Sequence, residues 1–268
     1  MAIRSPAVAG SFYPGSAREL DRMVRSFTRD EPDRIAARGV VVPHAGYIYS
    51  GGVAGEVFSR VLVPFRHLIF CPNHTGLGSE AALMGEGSWR MPWGDVPIDE
   101  ELAARLASAC PFLREDPAAH REEHSLEVQL PFLHRFRPGF TFVPLALGRL
   151  SLAECRSLGE AAATVVRETP EPVLLIASSD MSHYLPDATA RAKDRKAIDA
   201  MLALDPEALY RTVRAERISM CGVIPATVLL FALRALGAES AQLVRYATSG
   251  DVRGDRDRVV GYAGLLFR

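Results

Sequence analysis

Cysteine is scarce in this chain: there are four, Cys71, Cys110, Cys155 and Cys221, and no two form a CxxC pair. That excludes a zinc ribbon or a thioredoxin-type redox motif, and without an export signal it points to reduced thiols rather than a disulfide framework. The opening stretch MAIRSPAVAGSFYPG has no apolar segment long enough for a signal peptide. No run of about 18 apolar residues occurs anywhere, so no membrane-spanning helix and no membrane partner are expected. Charge of one sign is missing too. With 31 Lys and Arg against 32 Asp and Glu, the net charge is −1. Nucleic acid is therefore excluded as a main partner, because phosphate binding needs a concentrated cationic surface. One Arg-dense stretch, 245–258, interleaves three Asp and reads as a solvated loop. Repeats, low-complexity segments and Gly/Ser linkers are absent. The simplest expectation is a cytoplasmic protein folded as a single domain over residues 1–268.

What is present is an ordinary globular composition, 48% hydrophobic and 24% charged, in a chain long enough to bury a large core without a metal or disulfide. Short β-rich runs at 40–42, 67–71, 140–147, 173–177, 243–247 and 259–267 read as strands. Longer stretches with helical periodicity at 52–62, 100–109, 125–136, 152–168, 188–204 and 222–236 lie among them. Alternating strands and helices predict an α/β protein, a three-layer α/β/α sandwich with a mostly parallel mixed sheet. The last two strands follow each other closely, so an antiparallel edge is expected there.

In such sheets ligands bind where loops leave the carboxyl ends of the parallel strands. Three of the predicted strands each deliver a histidine there: Pro43-His44-Ala45-Gly46-Tyr47, Pro72-Asn73-His74-Thr75-Gly76 and Ser178-Ser179-Asp180-Met181-Ser182-His183-Tyr184. Imidazole suits iron, zinc, copper and nickel, and two imidazoles with one anionic ligand leave positions open for substrate. The structural alternative is that each histidine caps a helix or bonds a carbonyl. A fourth element, Arg121-Glu122-Glu123-His124-Ser125-Leu126-Glu127, reads as a helix start. Glu123 and His124 are acid/base or supporting candidates there, and His124 and Glu127, three apart, fall on one helical face. A charged first turn that favours the helix dipole explains the same residues equally well. A fifth, Met220-Cys221-Gly222, places a thiol before an apolar helix whose dipole is expected to lower its pKa. An inert buried thiol is the competing explanation. His67 begins a predicted strand, His120 lies in a polar loop and His134 faces out of a predicted helix, none with a partner motif, and Cys71, Cys110 and Cys155 fall in or beside predicted elements.

Taken in order, Ala7-Val8-Ala9-Gly10-Ser11-Phe12-Tyr13-Pro14, Val42–Tyr47, Pro72-Asn73-His74, Glu123–Glu127, Ser178–Tyr184 and Cys221-Gly222 resemble the Memo family from residue 4 to the C-terminus. Prokaryotic members are named protein B of the AmmeMemoRadiSam system, which implies an AMMECR-like protein and a radical SAM protein as partners. The family fold resembles class III extradiol dioxygenases, which use non-haem Fe(II). The resemblance implies a metal, Fe(II) first with Cu or Zn as alternatives, held by His44, His74 and Cys221. It places Asp180 and His183 beside that metal. A thiol stands where the related dioxygenases have a carboxylate, and thiolate favours softer ions. Two function classes follow: a metal-dependent oxidoreductase with His183 as acid/base and Asp180 orienting it, or a binding module for a peptide or small molecule. In the second, Tyr47, Tyr49, Trp89 and Trp93 would line the groove. Copper or iron handling without turnover is a third reading.

Overall fold

Val40–Val42 and Leu68–Cys71 are apolar at every position, so both faces of a sheet that contains them must be covered. The computed structural model describes residues 2–268 and buries both runs completely. In chain order the strands are β1 (Ile3–Arg4), β2 (Gly39–Val42), β3 (Arg66–Pro72), β4 (Ala81–Leu83), β5 (Ser88–Met91), β6 (Gly94–Pro97), β7 (Arg114–Glu115), β8 (Thr141–Leu147), β9 (Val173–Ser178), β10 (His183–Leu185), β11 (Ala241–Thr248) and β12 (Val259–Phe267). The helices are α1 (Ala17–Phe27), α2 (Tyr47–Arg60), α3 (Glu100–Ala109), α4 (Leu130–Phe136), α5 (Leu152–Arg167), α6 (Asp187–Leu202), α7 (Pro206–Ala215), α8 (Val223–Ala235) and the single turn α9 (Gly250–Arg253).

Nine strands form one mixed sheet in the order β10-β12-β2-β9-β3-β8-β4-β7, with β11 also paired to β12. Its centre, β2-β9-β3-β8, is parallel, while β12 and β4 flank that centre in antiparallel fashion. The expected antiparallel pairing of the last two strands is present. Successive residues point to opposite faces. Val41, Leu68, Phe70 and Leu175 join one core with α3, α5, α6, α7 and α8. Val40, Val42, Ile69 and Ile176 join a second core with α1, α2, α4 and the small sheet β1-β5-β6. These two cores make the three layers. Because β2, β3 and β9 run parallel side by side, the loops after Val42, Pro72 and Ser178 all open at one edge.

Several expectations need correction. Residues 125–136 do not form one helix. A 3-10 turn over Glu127–Gln129 precedes α4, with Pro131 in the first turn of α4. Residues 245–248 belong to β11 rather than to a loop, and Arg245 pairs with Glu56 at 3.5 Å. The helices α1 and α7 escaped the periodicity reading. In α1 only Leu20 and Val24 are buried, too narrow a stripe to stand out against the charged residues around it. Among the described residues no helix is long and apolar enough to cross a membrane.

Candidate metal centre

Each element at the open edge delivers its side chain for a local reason. β2 ends at Val42, and Pro43 has no N–H with which to continue a ladder. The chain then turns through His44 into α2. His44 is 2% exposed, and its backbone N–H donates to Asp180 Oδ1 at 2.8 Å. Cys221 reaches the same point because the backbone passes unusually close to β9 at Gly222. Any Cβ at Gly222 would collide with the Ser178 carbonyl oxygen and the Ser179 side chain. Cys221 Sγ lies 3.1 Å from His44 Nε2 and accepts the Asp180 backbone N–H at 3.3 Å.

His74 follows β3. Its backbone N–H donates to Glu123 Oε2 at 2.6 Å, and its Nδ1 lies 2.9 Å from Glu123 Oε1. Glu123 also accepts the Ser125 backbone N–H and hydroxyl, at 2.9 and 2.6 Å. Burial alone would raise this carboxyl, but the bonds from His74 and Ser125 outweigh it and hold the group down at about 2. His124 stacks on His74 with ring centroids 4.9 Å apart, and Phe12 meets it edge-on at 4.8 Å.

One donor atom from each of His44, His74 and Cys221 lies within 4.8 Å of the others, a spacing that one metal ion can bridge. His74, Glu123 and His124 meet the same distance condition. The first trio fits an ion better, because Glu123 already spends its oxygens on four protein donors. Burial, reinforced by the neighbouring histidines, pushes the His44 pKa well below its usual value, so the ring is the neutral base that a metal requires. Burial also raises the Asp180 carboxyl, to about 6.

The structure departs from expectation at other positions. Burial, with the Asp180 carboxyl beside it, raises the Cys221 thiol pKa rather than lowering it, and these effects override the helix dipole. Asp180 does not orient His183 through a hydrogen bond. The His183 ring is held instead through Nδ1 by the Ser219 carbonyl at 2.9 Å, and the His183 backbone N–H donates to Ser219 Oγ at 2.7 Å. Glu127 turns away from His124 and into a buried ion pair with Arg4, and it accepts the Tyr13 hydroxyl at 2.5 Å. Tyr47 and Trp89 line no groove, since both are core residues at 1% and 0% exposure. Trp93 stacks on His134 at 4.4 Å, so His134 does not face freely outward. His120, expected in a polar loop, is fully buried. His67 and Cys71, Cys110 and Cys155 are buried as well. Sequence reading missed Ser178, Gln129 and Arg4, whose contacts hold the ligand-bearing loops. The only signal was polarity within apolar runs, as for Gln129 between Val128 and Leu130.

Residues 4–266 match the family model described as Memo-like protein. The chain belongs to the Memo family. It is 44% identical to a MEMO1 family protein of Methanopyrus kandleri, with 99% of each chain covered. A MEMO1 family protein of Aquifex aeolicus is 41% identical over the full length of both. Among solved structures, an uncharacterized protein of Escherichia coli K12 shares the fold, with a TM-score of 0.54 at 13% identity over 84% of this chain and 98% of that one.

Proposed function

We propose that this Memo-family protein is a metal-dependent oxidoreductase of dioxygenase-like type, working on one Fe(II) held by His44, His74 and Cys221. The observation that carries the reading is the meeting of two imidazoles and one thiol, from three separate loops, within 4.8 Å at the open edge of the sheet. Bound there, the ion would supply redox-active, Lewis-acid chemistry toward O2 and a small organic substrate. The chain's own residues do the rest. Glu123 accepts from His74 Nδ1, so that Nε2 would be the atom to hold the ion. His183, half-buried three residues after Asp180 and held at Nδ1 by the Ser219 carbonyl, would move a proton at Nε2. Asp180 fixes the backbone on which His44 rides.

Iron or copper handling without turnover is the second reading, and Cys221 favours it because thiolate is a soft ligand. A peptide-binding groove loses support because Tyr47 and Trp89 are core. The test is oxygen consumption by protein reconstituted anaerobically with Fe(II), against a panel of catechols and related phenols. Consumption that depends on substrate and disappears in His74→Ala supports the oxidoreductase. Stoichiometric metal uptake with no substrate-dependent consumption would favour metal handling.

A further inference from the structure

Behind His44 lies a buried polar group to which neither the motifs nor the ligand set gives a role. Ser178, Gln129 and Ser125 are each 0% exposed. Ser178 Oγ lies 2.7 Å from the Ser125 carbonyl, 2.9 Å from His44 Nδ1 and 3.0 Å from Gln129 Nε2. A serine hydroxyl has one hydrogen and can accept two. The Ser125 carbonyl can only accept, and it is the nearest partner, so the hydroxyl hydrogen goes there. Gln129 Nε2 donates to the Pro43 carbonyl at 2.9 Å and to Ser178 Oγ, with the Ser125 carbonyl at 3.3 Å. Reversing that amide would set its oxygen against two carbonyl oxygens, so the donor orientation is fixed although Gln129 Oε1 is left without a partner. Ser178 Oγ then has an acceptor position left, and His44 Nδ1 must fill it as a donor.

We infer that Ser178, oriented by Gln129 and the Ser125 carbonyl, is a positioning residue that locks His44 as its Nδ1–H tautomer and presents a bare Nε2 lone pair toward Cys221 Sγ. The inference rests on the metal-site reading above and adds the device that readies its most buried ligand. It also explains why a polar side chain ends the otherwise apolar strand β9. A metal-bound imidazole needs its distal N–H held in this way, and removing such a partner costs about 10–100-fold in affinity.

Ser178→Val and Ser178→Thr have the same shape and differ in the hydroxyl, so together they separate packing from hydrogen bonding. Fe(II) affinity, measured anaerobically by calorimetry, is expected to fall about 10–100-fold in Ser178→Val and to stay near wild type in Ser178→Thr. Nitrogen-15 NMR of the metal-free protein should show His44 as the Nδ1–H tautomer in wild type and Ser178→Thr, and a tautomer mixture in Ser178→Val. If the branched side chains prevent folding, Ser178→Ala serves as the hydroxyl-free variant, with the same expected loss. Equal affinities in the Val and Thr variants, or an unchanged His44 tautomer without the hydroxyl, would overturn the inference. If wild type took up no Fe(II), the metal reading would fail, while the tautomer measurement would still decide the role of Ser178.

Discussion

His44 and His74 aim at one point, but the protein holds them differently. His44 is 2% exposed, and its Nδ1 rests against a neutral hydroxyl. The His74 side chain is 31% exposed, and its Nδ1 rests against a carboxylate whose pKa is held down at about 2, so that it is ionised at neutral pH. A carboxylate partner raises imidazole basicity as well as orienting the ring, whereas a hydroxyl mainly orients it. One ligand is thus made rigid by burial, and the other is made a stronger donor by charge. Their supports differ in range as well. The His44 support runs through Ser178 at the end of β9 to Gln129 and the Ser125 carbonyl just before α4. The His74 support reaches back to the N-terminus, where Arg4 donates to the Glu123 carbonyl at 2.6 Å and the His120 carbonyl at 2.9 Å while pairing with Glu127.

The largest effect expected from this difference is on stability. Arg4→Met strands the buried Glu127 carboxylate and should cost about 3–5 kcal/mol by urea denaturation. Adding Glu127→Gln should recover part of that loss. No recovery would assign the cost to the packing of the Arg4 guanidinium over Trp89, 4.0 Å from the ring centroid, instead of to charge.

Next comes the charge on the His74 side. Glu123→Gln should lower Fe(II) affinity about 10–100-fold in anaerobic calorimetry. Glu127→Gln, which touches no ligand, should leave that affinity close to wild type. Equal losses in the two variants would mean that the N-terminal anchor, not the Glu123 charge, sets the affinity.

The smallest effect, read per pH unit, is a pH dependence that separates the anchor from the Glu123 carboxylate. Burial holds His120 down to about 4, with the Arg4 charge adding to the effect. A histidine whose folded pKa lies below its unfolded one binds its proton first in the unfolded chain, so stability falls as pH drops from about 6.5 to about 4. Glu123 acts lower: its contribution is complete above about 4.5 and is lost as pH falls through about 2. His120→Phe should remove up to about 1.4 kcal/mol per pH unit from the upper slope. An unchanged slope in the urea midpoint between pH 6.5 and 4 would show that His120 is not a neutral group in the fold.

What could be read from the sequence followed from the sheet. The apolar runs at Val40, Leu68 and Leu174 fixed the central strands, and the rule for their carboxyl ends singled out His44, His74, Asp180 and His183. Cys221 was different. Residue physics left it between a helix-start thiolate and an inert buried thiol, and only the family resemblance made it a ligand, because what brings it to His44 is the close passage of Gly222 past Ser178 and Ser179. Glu127 misled for a related reason. Its spacing from His124 suited one helical face, but the buried charge of Arg4, more than a hundred residues away in sequence, claims it. Ser178 and Gln129 signalled only as polar residues in apolar runs, and their partnership was hidden, since a hydrogen-bond chain across three segments has no spacing along the chain.

The central claim is that one ion sits among His44, His74 and Cys221. The direct test is a crystal grown anaerobically with Fe(II) and measured at the iron absorption edge. The account predicts a single anomalous peak within about 2.0–2.3 Å of His44 Nε2, His74 Nε2 and Cys221 Sγ. A peak between His74, Glu123 and His124, or none at this edge of the sheet, would contradict it.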